Sequence, residues 1–412
     1  MKILFLAPQP FYQERGTPIA VRIALETLSK KLSTHGASAA HIDLLCYAEG
    51  EDISIPGVTI HRIWSPQWLR DIRPGISLKK LLCDIIFLVA ALRLVIQSRA
   101  QQYAVLHAVE ESVFIAWLIK KIWGIPYIYD MDSSLSLQVT EKWWWCKPLH
   151  QIMSRLEGIA VRGSVAVAPV CDALSAIASQ HGSPHTVLLR DVSLLPTSQG
   201  ENTERNKVLG LSLRPTQPVV LYVGNLESYQ GIDLLIESFA LVGTHESHPH
   251  LVIVGGIPES IERYRGKAAR LGCEKQVSFL GPRPVADLKD YLTAADILVS
   301  PRIKGNNTPM KIYSYLHSGK ALLATDLPTH RQVLDEEIAV LAPCEAAGFA
   351  KGLHTLLDDP TLRHRIGEHA QKRAERLYTL SAFETQLSAL YDEVHSRVLS
   401  ASAGAVIVQE KA

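Results

Sequence analysis

The residues best placed to do chemistry lie between Ser300 and Gly319, in the run Ser-Pro-Arg-Ile-Lys-Gly-Asn-Asn-Thr-Pro-Met-Lys-Ile-Tyr-Ser-Tyr-Leu-His-Ser-Gly. Thr308 before Pro309 reads as an N-cap followed by proline in the first helical position. Gly319 reads as the residue just past the helix end, so the spacing predicts about three turns. A helix start offers unsatisfied N–H groups and partial positive charge, which suits an anion. Arg302, Lys304 and Lys311 crowd the same point, and Lys311, Ser314 and Ser318 fall on one polar stripe opposite Ile312, Tyr315 and Leu316. Phosphate binding is the chemistry this permits. The plainer alternative is a well-capped surface helix with solvated lysines.

Two further loops have the same character. Gly224 follows an apolar strand and opens Gly-Asn-Leu-Glu-Ser-Tyr-Gln-Gly-Ile-Asp233, where glycine lets a ligand approach the backbone. By itself this is equally a plain strand-to-helix turn. Gly16-Thr17-Pro18 places another glycine before a helix. Neither G-x-x-x-x-G-K-[ST] nor G-x-G-x-x-G occurs, so a P-loop enzyme or standard dinucleotide enzyme lacks its signature. No metal site is expected. His245, His248 and His250 read HESHPH, with Pro249 where a second zinc-binding histidine would stand, and a solvated loop fits better. The six cysteines are widely spaced and fit free thiols in a reducing cytoplasm.

The elements that must carry these loops alternate along the chain. Strand-like runs at 2–7, 41–46, 59–64, 104–108, 127–129 and 165–168 interleave with helical patterns at 20–35, 79–98, 112–123 and 149–161. The stretch 195–218 is polar and rich in turn residues. Alternation then restarts, with strands at 219–223, 251–254, 276–280, 296–299 and 321–325. This predicts an α/β protein of two tandem doubly wound Rossmann-like domains facing a cleft. The expected divisions are residues 1–200, 201–375, a helix over 376–399 packing back on the first domain, and a flexible tail over 400–412. The pattern from 360 to 397 reads as continuously helical. In such sheets a ligand sits beyond the carboxyl ends of the strands, where the three loops lie.

At 412 residues, 47% hydrophobic and with a mean hydropathy of +0.09, the chain has material for two ordinary cores. Its 42 basic and 41 acidic residues leave a net charge of +1, which argues against a nucleic-acid partner held by bulk electrostatics. The balance is uneven, being +3 for residues 1–200 and −2 for the rest. Between Arg62 and Arg99 seven cations face only Asp71 and Asp84. That window includes Leu81–Ile96, an apolar run broken by Asp84 and Arg93 and so read as a buried or interfacial helix rather than a membrane span.

Strand-Gly224, Gly231-Ile-Asp-Leu-Leu-Ile-Glu-Ser-Phe239, Val252-Ile-Val-Gly-Gly256, Val277-Ser-Phe-Leu-Gly281, Ala295-Asp-Ile-Leu-Val-Ser-Pro301 and Lys311-Ile-Tyr-Ser-Tyr-Leu-His-Ser-Gly319 occur in order. That order resembles the C-terminal half of the family-four GT-B glycosyltransferases, retaining enzymes that use nucleotide-activated sugars. Gly16-Thr-Pro and Ile125-Pro-Tyr-Ile-Tyr-Asp130 are similar to the family's N-terminal half. The resemblance implies a donor site built from Gly224, Asn225, Gln230, Lys304, Asn306, Asn307, Thr308, Pro309, Met310 and Ser314. It implies that Gly16, Thr17 and Glu110 face the acceptor or diphosphate, and that Asp132, Arg302 and Lys311 do the catalysis. The chain departs from the family at several of these places. Two glutamates are replaced by Asn306 and Ser314, an arginine and a lysine by Asn225 and Gln230, and a histidine by Asp132. Pro309 also removes a backbone donor. Arg302, Lys304 and Lys311 are the substitutes available to neutralise a diphosphate. Asp132 either orients an acceptor hydroxyl or caps the turn into Ser133-Ser134. Glu110 and Glu111 either contact acceptor or sugar or serve as first-turn charges.

The resemblance therefore implies a cytoplasmic, metal-independent transferase without cofactors. It would move a sugar from a nucleoside diphosphate sugar to a glycan or lipid-linked acceptor, with retention. The departures keep open a non-catalytic nucleotide-sugar-binding or scaffold protein. A GT-B epimerase is a further alternative, but it would need strong bases beside the sugar that the sequence lacks. The basic window and Glu141-Lys-Trp-Trp-Trp-Cys-Lys-Pro148 resemble a surface for anionic lipid at the inner membrane face, with tryptophans at headgroup depth. The alternative is that the helix is core and the tryptophans pack under a loop.

Overall fold

The computed structural model describes residues 2–14, 16–34, 41–70, 72, 77–98, 103–137, 150–196, 204–243 and 245–409. The chain forms two packing units, Met1–Arg190 with Phe383–Ala412, and Asp191–Ala382. Asp71, Arg73, Arg99 and the whole Glu141–Pro148 segment, with the tryptophans expected to meet lipid, lie outside the described residues.

Unit one is built on β1 (Lys2–Leu6), α1 (Gly16–Thr34), β2 (His41–Cys46), β3 (Val58–Arg62), α2 (Leu78–Gln97), β4 (Val105–Val109), α3 (Val113–Trp123), β5 (Tyr127–Met131), α4 (His150–Gly163), β6 (Ala166–Pro169) and α5 (Asp172–Gln180). Its six strands are parallel, in the order β3-β2-β1-β4-β5-β6. β4 and β6 are buried along their whole length, as expected when helices cover both faces of a sheet.

Unit two repeats the plan. It contains α6 (Arg205–Leu209), β7 (Val219–Val223), α7 (Ile232–Val242), β8 (His250–Val254), α8 (Pro258–Arg270), β9 (Val277–Gly281), α9 (Leu288–Ala294), β10 (Ile297–Ser300), α10 (Lys311–His317), β11 (Ala321–Thr325), α11 (Pro328–Arg331), β12 (Val340–Ala342), α12 (Ala346–Asp358) and α13 (Pro360–Leu377). The sheet is again parallel, ordered β12-β11-β10-β7-β8-β9. Both sheets reverse direction at one pair of neighbours, β1 and β4 in unit one and β7 and β10 in unit two. Ligands of doubly wound sheets sit at that switch point.

The tandem α/β reading is borne out, with three local differences. α10 begins at Lys311 and spans two turns rather than three, and Met310, not Thr308, precedes it. The expected continuous helix over 360–397 is two helices, α13 and α14 (Leu380–Gln409). The break falls where the Thr379 hydroxyl accepts the Ala382 N–H at 3.2 Å, which caps a new helix and competes with continuation of the old one. Third, α14 runs to Gln409, through the segment read as a flexible tail.

α14 belongs with unit one because its Tyr391 is buried there. The Tyr391 hydroxyl lies 2.9 Å from Nδ1 of His107 on β4, and Nε2 of the same ring lies 3.1 Å from an Asp130 carboxylate oxygen on β5. A carboxylate only accepts, so Nε2 donates to Asp130, and in the neutral ring Nδ1 accepts from Tyr391. Phe5 stacks on the imidazole at 4.0 Å between ring centroids. Lys31 of α1 adds a 2.6 Å ion pair to Asp392.

Candidate functional site

In unit two the loops after β7 and β10 meet at the switch point. Gly224 and Gly255 have φ of 147° and 111°, values that L side chains rarely adopt. A Cβ on Gly255 would lie 2.1 Å from the Gly224 carbonyl oxygen, and one on Gly224 2.7 Å from Lys311 Nζ. A Cβ on Gly231 would lie 1.9 Å from the Pro301 carbonyl oxygen, so glycine is what lets the two loops touch.

Lys311 occupies the floor of this niche. Its ammonium donates to the Gln230 side-chain oxygen at 3.2 Å and sits 3.9 Å from the centroid of the buried Tyr222 ring. Among the described residues no carboxylate pairs with it. Burial, then repulsion from Arg302, pulls its pKa well below the ordinary lysine value. A cation held only by an amide oxygen and an aromatic face is incompletely compensated, so an arriving anion would strengthen its charged form. Tyr222, which the sequence reading did not single out, donates its hydroxyl to the Asn225 carbonyl at 2.6 Å. The Asn225 side chain turns back on its own loop, accepting the Glu227 N–H at 3.2 Å.

Arg302, expected on the diphosphate, is turned elsewhere. Only 7% exposed, it donates to the Lys304 carbonyl at 2.6 Å, the Asn307 carbonyl at 3.1 Å and the Asn307 side-chain oxygen at 3.2 Å. Those bonds fold the 302–307 loop around the guanidinium and leave it a positioning residue. Lys304 and Asn306 are exposed on that loop, and Gln332 donates to the Asn306 carbonyl at 2.9 Å. The buried Thr308 hydroxyl donates to the Thr329 carbonyl at 3.2 Å instead of capping a helix, and Pro309 is buried beside it. Ser314, expected at the ribose, is buried and accepts the Leu194 N–H at 2.9 Å. It therefore serves packing, because its helix turns that face inward.

Beneath the loop lies His330, fully buried. Its Nδ1 donates to the Thr325 carbonyl at 2.8 Å and its Nε2 accepts from the Ser300 hydroxyl at 2.9 Å. Burial lowers its pKa to about 4, the Thr325 carbonyl opposes that, and Arg302 and Lys311 push the same way as burial.

In unit one the switch point brings Glu110 to the end of β4. Its φ of 51° is uncommon for a non-glycine residue and carries about 1–3 kcal/mol of strain. Burial, then the neighbouring Glu111, pushes its carboxyl up to about 7, and the Ser133 hydroxyl donates to it at 3.3 Å. Glu111 itself pairs with Lys80 of α2. Asp132 is half-buried in the turn after β5. Glu157, which the sequence reading passed over, is buried on α4 and accepts the Ser134 hydroxyl, the Leu135 N–H and the Ser136 hydroxyl at 2.9–3.1 Å. So Glu110 and Glu157 fix the turn that carries Asp132. Gly16, at the head of α1, is exposed with nothing within 4 Å of an added Cβ, and Thr17 is half-buried.

α2 is buried along one face and exposed along the other. Cys83, Phe87, Ala91 and Val95, four residues apart, face the core, while Leu78, Leu81, Ile85, Val89 and Ile96 are exposed. Trp64 and Trp68 are 75% and 66% exposed. Two cations of the basic window are committed inward. Arg62 donates to the Glu49 and Glu51 carbonyls at 2.8 and 2.7 Å, and Lys80 pairs with Glu111. Arg70, Lys79 and Arg93 are exposed. Among the described residues no helix is long and apolar enough to cross a membrane.

Residues 206–373 match the family model of group 1 glycosyl transferases. The chain is 32% identical over 213 residues to a D-inositol 3-phosphate glycosyltransferase of Corynebacterium glutamicum, covering 49% of this chain and 50% of that protein. It thus spans about half the length of that curated relative. Among solved structures, a sucrose-phosphate synthase of Thermosynechococcus elongatus superposes with a TM-score of 0.76 at 18% identity, over 96% of this chain and 99% of that one. HepE of Anabaena, solved in complex with UDP, superposes with a TM-score of 0.70 at 17% identity, over 95% and 100%.

Proposed function

We propose that this chain is a glycosyltransferase of the GT-B fold, whose unit two holds a nucleoside diphosphate sugar by Lys311 while its unit one receives a glycan or lipid-linked acceptor. The observation that carries the donor assignment is the Lys311 ammonium. It is half-buried, has no carboxylate partner among the described residues, and lies at the switch point beside glycines that keep the backbone open. A diphosphate supplies the missing negative charge. The Gly224, Asn225 and Gln230 loop lies against it, and the loop from Lys304 to Met310, shaped by Arg302, forms the other wall.

The reaction retains configuration. The bond from the anomeric carbon to the diphosphate oxygen breaks while the acceptor oxygen bonds to the same face. The acceptor's proton passes to the departing phosphate, which is why no strong protein base is required there. Lys311 stabilises the charge that develops on the leaving group. Glu110 and Asp132 take the acceptor hydroxyl by hydrogen bonds, and Gly16 and Thr17 flank it at the head of α1. With its carboxyl near 7, Glu110 can both donate and accept at neutral pH.

The acceptor is delivered at an anionic membrane surface. The support is the outward apolar face of α2, the exposed Trp64 and Trp68 beside it, and the exposed Arg70, Lys79 and Arg93.

Calorimetric titration with UDP and GDP tests the donor site. At least one should bind the wild type, and Lys311→Met should weaken that binding about tenfold or more, the scale of one charge-assisted contact. Equal affinity in the two proteins would remove Lys311 from the site.

A further inference from the structure

His245 follows α7, and α7 packs against α12, whose last two turns carry His354 and Asp358. Four residues apart on a helix, these two project from one face. His245 Nε2 lies 2.9 Å from an Asp358 carboxylate oxygen, and the His245 and His354 rings are 5.3 Å apart between centroids. One nitrogen or oxygen from each of the three residues lies within 4.8 Å of the other two. The His245 ring is fixed from behind, because Nδ1 accepts the Ser247 N–H at 3.1 Å and lies 2.8 Å from the Ser247 hydroxyl. His354 makes no hydrogen bond to any other described residue. The His245 side chain is 12% exposed and that of Asp358 65%, so the group is backed by protein and open on one side to water.

We propose that His245, His354 and Asp358 bind one divalent transition-metal ion of the zinc type, with water completing the shell. Two imidazoles and one carboxylate suit Zn²⁺, Co²⁺ or Ni²⁺, whereas Mg²⁺ and Ca²⁺ favour all-oxygen sites. Binding places the metal where the His245 Nε2 proton now meets Asp358. The ring proton moves to Nδ1, where the Ser247 hydroxyl accepts it and orients the ligand, and the Ser247 N–H gives up its bond to that nitrogen. The site takes no part in sugar transfer. His245 lies between α7 and the start of β8, at the amino edge of the sheet, while Lys311 and its loops lie beyond the carboxyl edge. The ion clamps the loop leading into β8 to the end of α12.

The test uses the full chain without a histidine tag. Its thermal unfolding and calorimetric titration are followed with Zn²⁺, with Co²⁺ and, as control, with Mg²⁺. Zn²⁺ should bind with one-to-one stoichiometry and raise Tm, Co²⁺ should give visible d–d absorption, and Mg²⁺ should do neither. His354→Ala should weaken Zn²⁺ binding about tenfold or more. Because His354 has no hydrogen bond to lose, the metal-free variant should unfold at the wild-type temperature and keep its transferase rate. Equal Zn²⁺ affinity in variant and wild type, or no Zn²⁺ binding, overturns the proposal.

Discussion

The Lys311 ammonium lies 3.2 Å from the Gln230 side-chain oxygen, and the proposed donor site rests on that placement. The resemblance aligns a lysine of the loop after β7 with Gln230, and here α10 returns a cation to the same spot from another element. The sequence named Lys311 through a helix start two residues too early. What recommends it is the glycine niche and the Tyr222 ring, a contact between residues 89 positions apart that local spacing cannot reveal. Arg302 and Ser314 are the converse case. Their types suit phosphate and ribose, but Asn307 and Leu194 claim them in the folded chain. His330 offers a prediction at this scale. The unfolded imidazole takes a proton near 6.5 and the native one near 4, so between those values the unfolded chain binds more protons. Stability therefore falls as pH drops through that window, by up to about 3 kcal/mol. Urea unfolding at pH 7 and pH 5 should show the loss in the wild type and a smaller one in His330→Gln. An equal loss in both would clear His330 of the effect.

Elements were legible where periodicity alone decides them. The buried strands and the helices α2 and α3 follow from apolar runs and their spacing. Boundaries set by side-chain competition were not, as at Thr308, drawn to the Thr329 carbonyl, and at Thr379, which starts α14. α14 is held to unit one by the Tyr391–His107–Asp130 chain. Tyr391→Phe should leave His107 Nδ1 buried without a donor and cost about 1–3 kcal/mol, read by the urea midpoint. An unchanged midpoint would mean α14 is held by its apolar contacts alone. α2 yields a different prediction. Replacing Trp68 and Leu81 with serine should lower sedimentation with phosphatidylglycerol vesicles about tenfold or more, since each large side chain contributes about 1.5–3 kcal/mol when buried. Neutral phosphatidylcholine vesicles should bind the wild type less. Undiminished binding by the double variant would place the membrane surface elsewhere.

For the molecule as a whole, the net charge of +1 conceals a division between a basic first half and an acidic second half. The structure narrows that division. Arg62 and Lys80 serve the interior of unit one, and in unit two the three cations part, Arg302 turning into its own loop, Lys304 facing outward and Lys311 lying against Gln230. The repeated α/β plan was readable from the restart of strand-helix alternation after residue 218, while the strand order within each sheet came only from the structure. The central claim is that this chain transfers a sugar and that Lys311 stabilises the departing diphosphate. Its most direct test is nucleoside diphosphate release from a panel of nucleotide sugars in the presence of membrane lipid extract, measured for wild type and Lys311→Met. The account predicts release from one donor with a glycosylated product, and a rate lower by about 10²–10³ in the variant. An equal rate in the two proteins, or nucleotide binding by the wild type with neither release nor product, would contradict it.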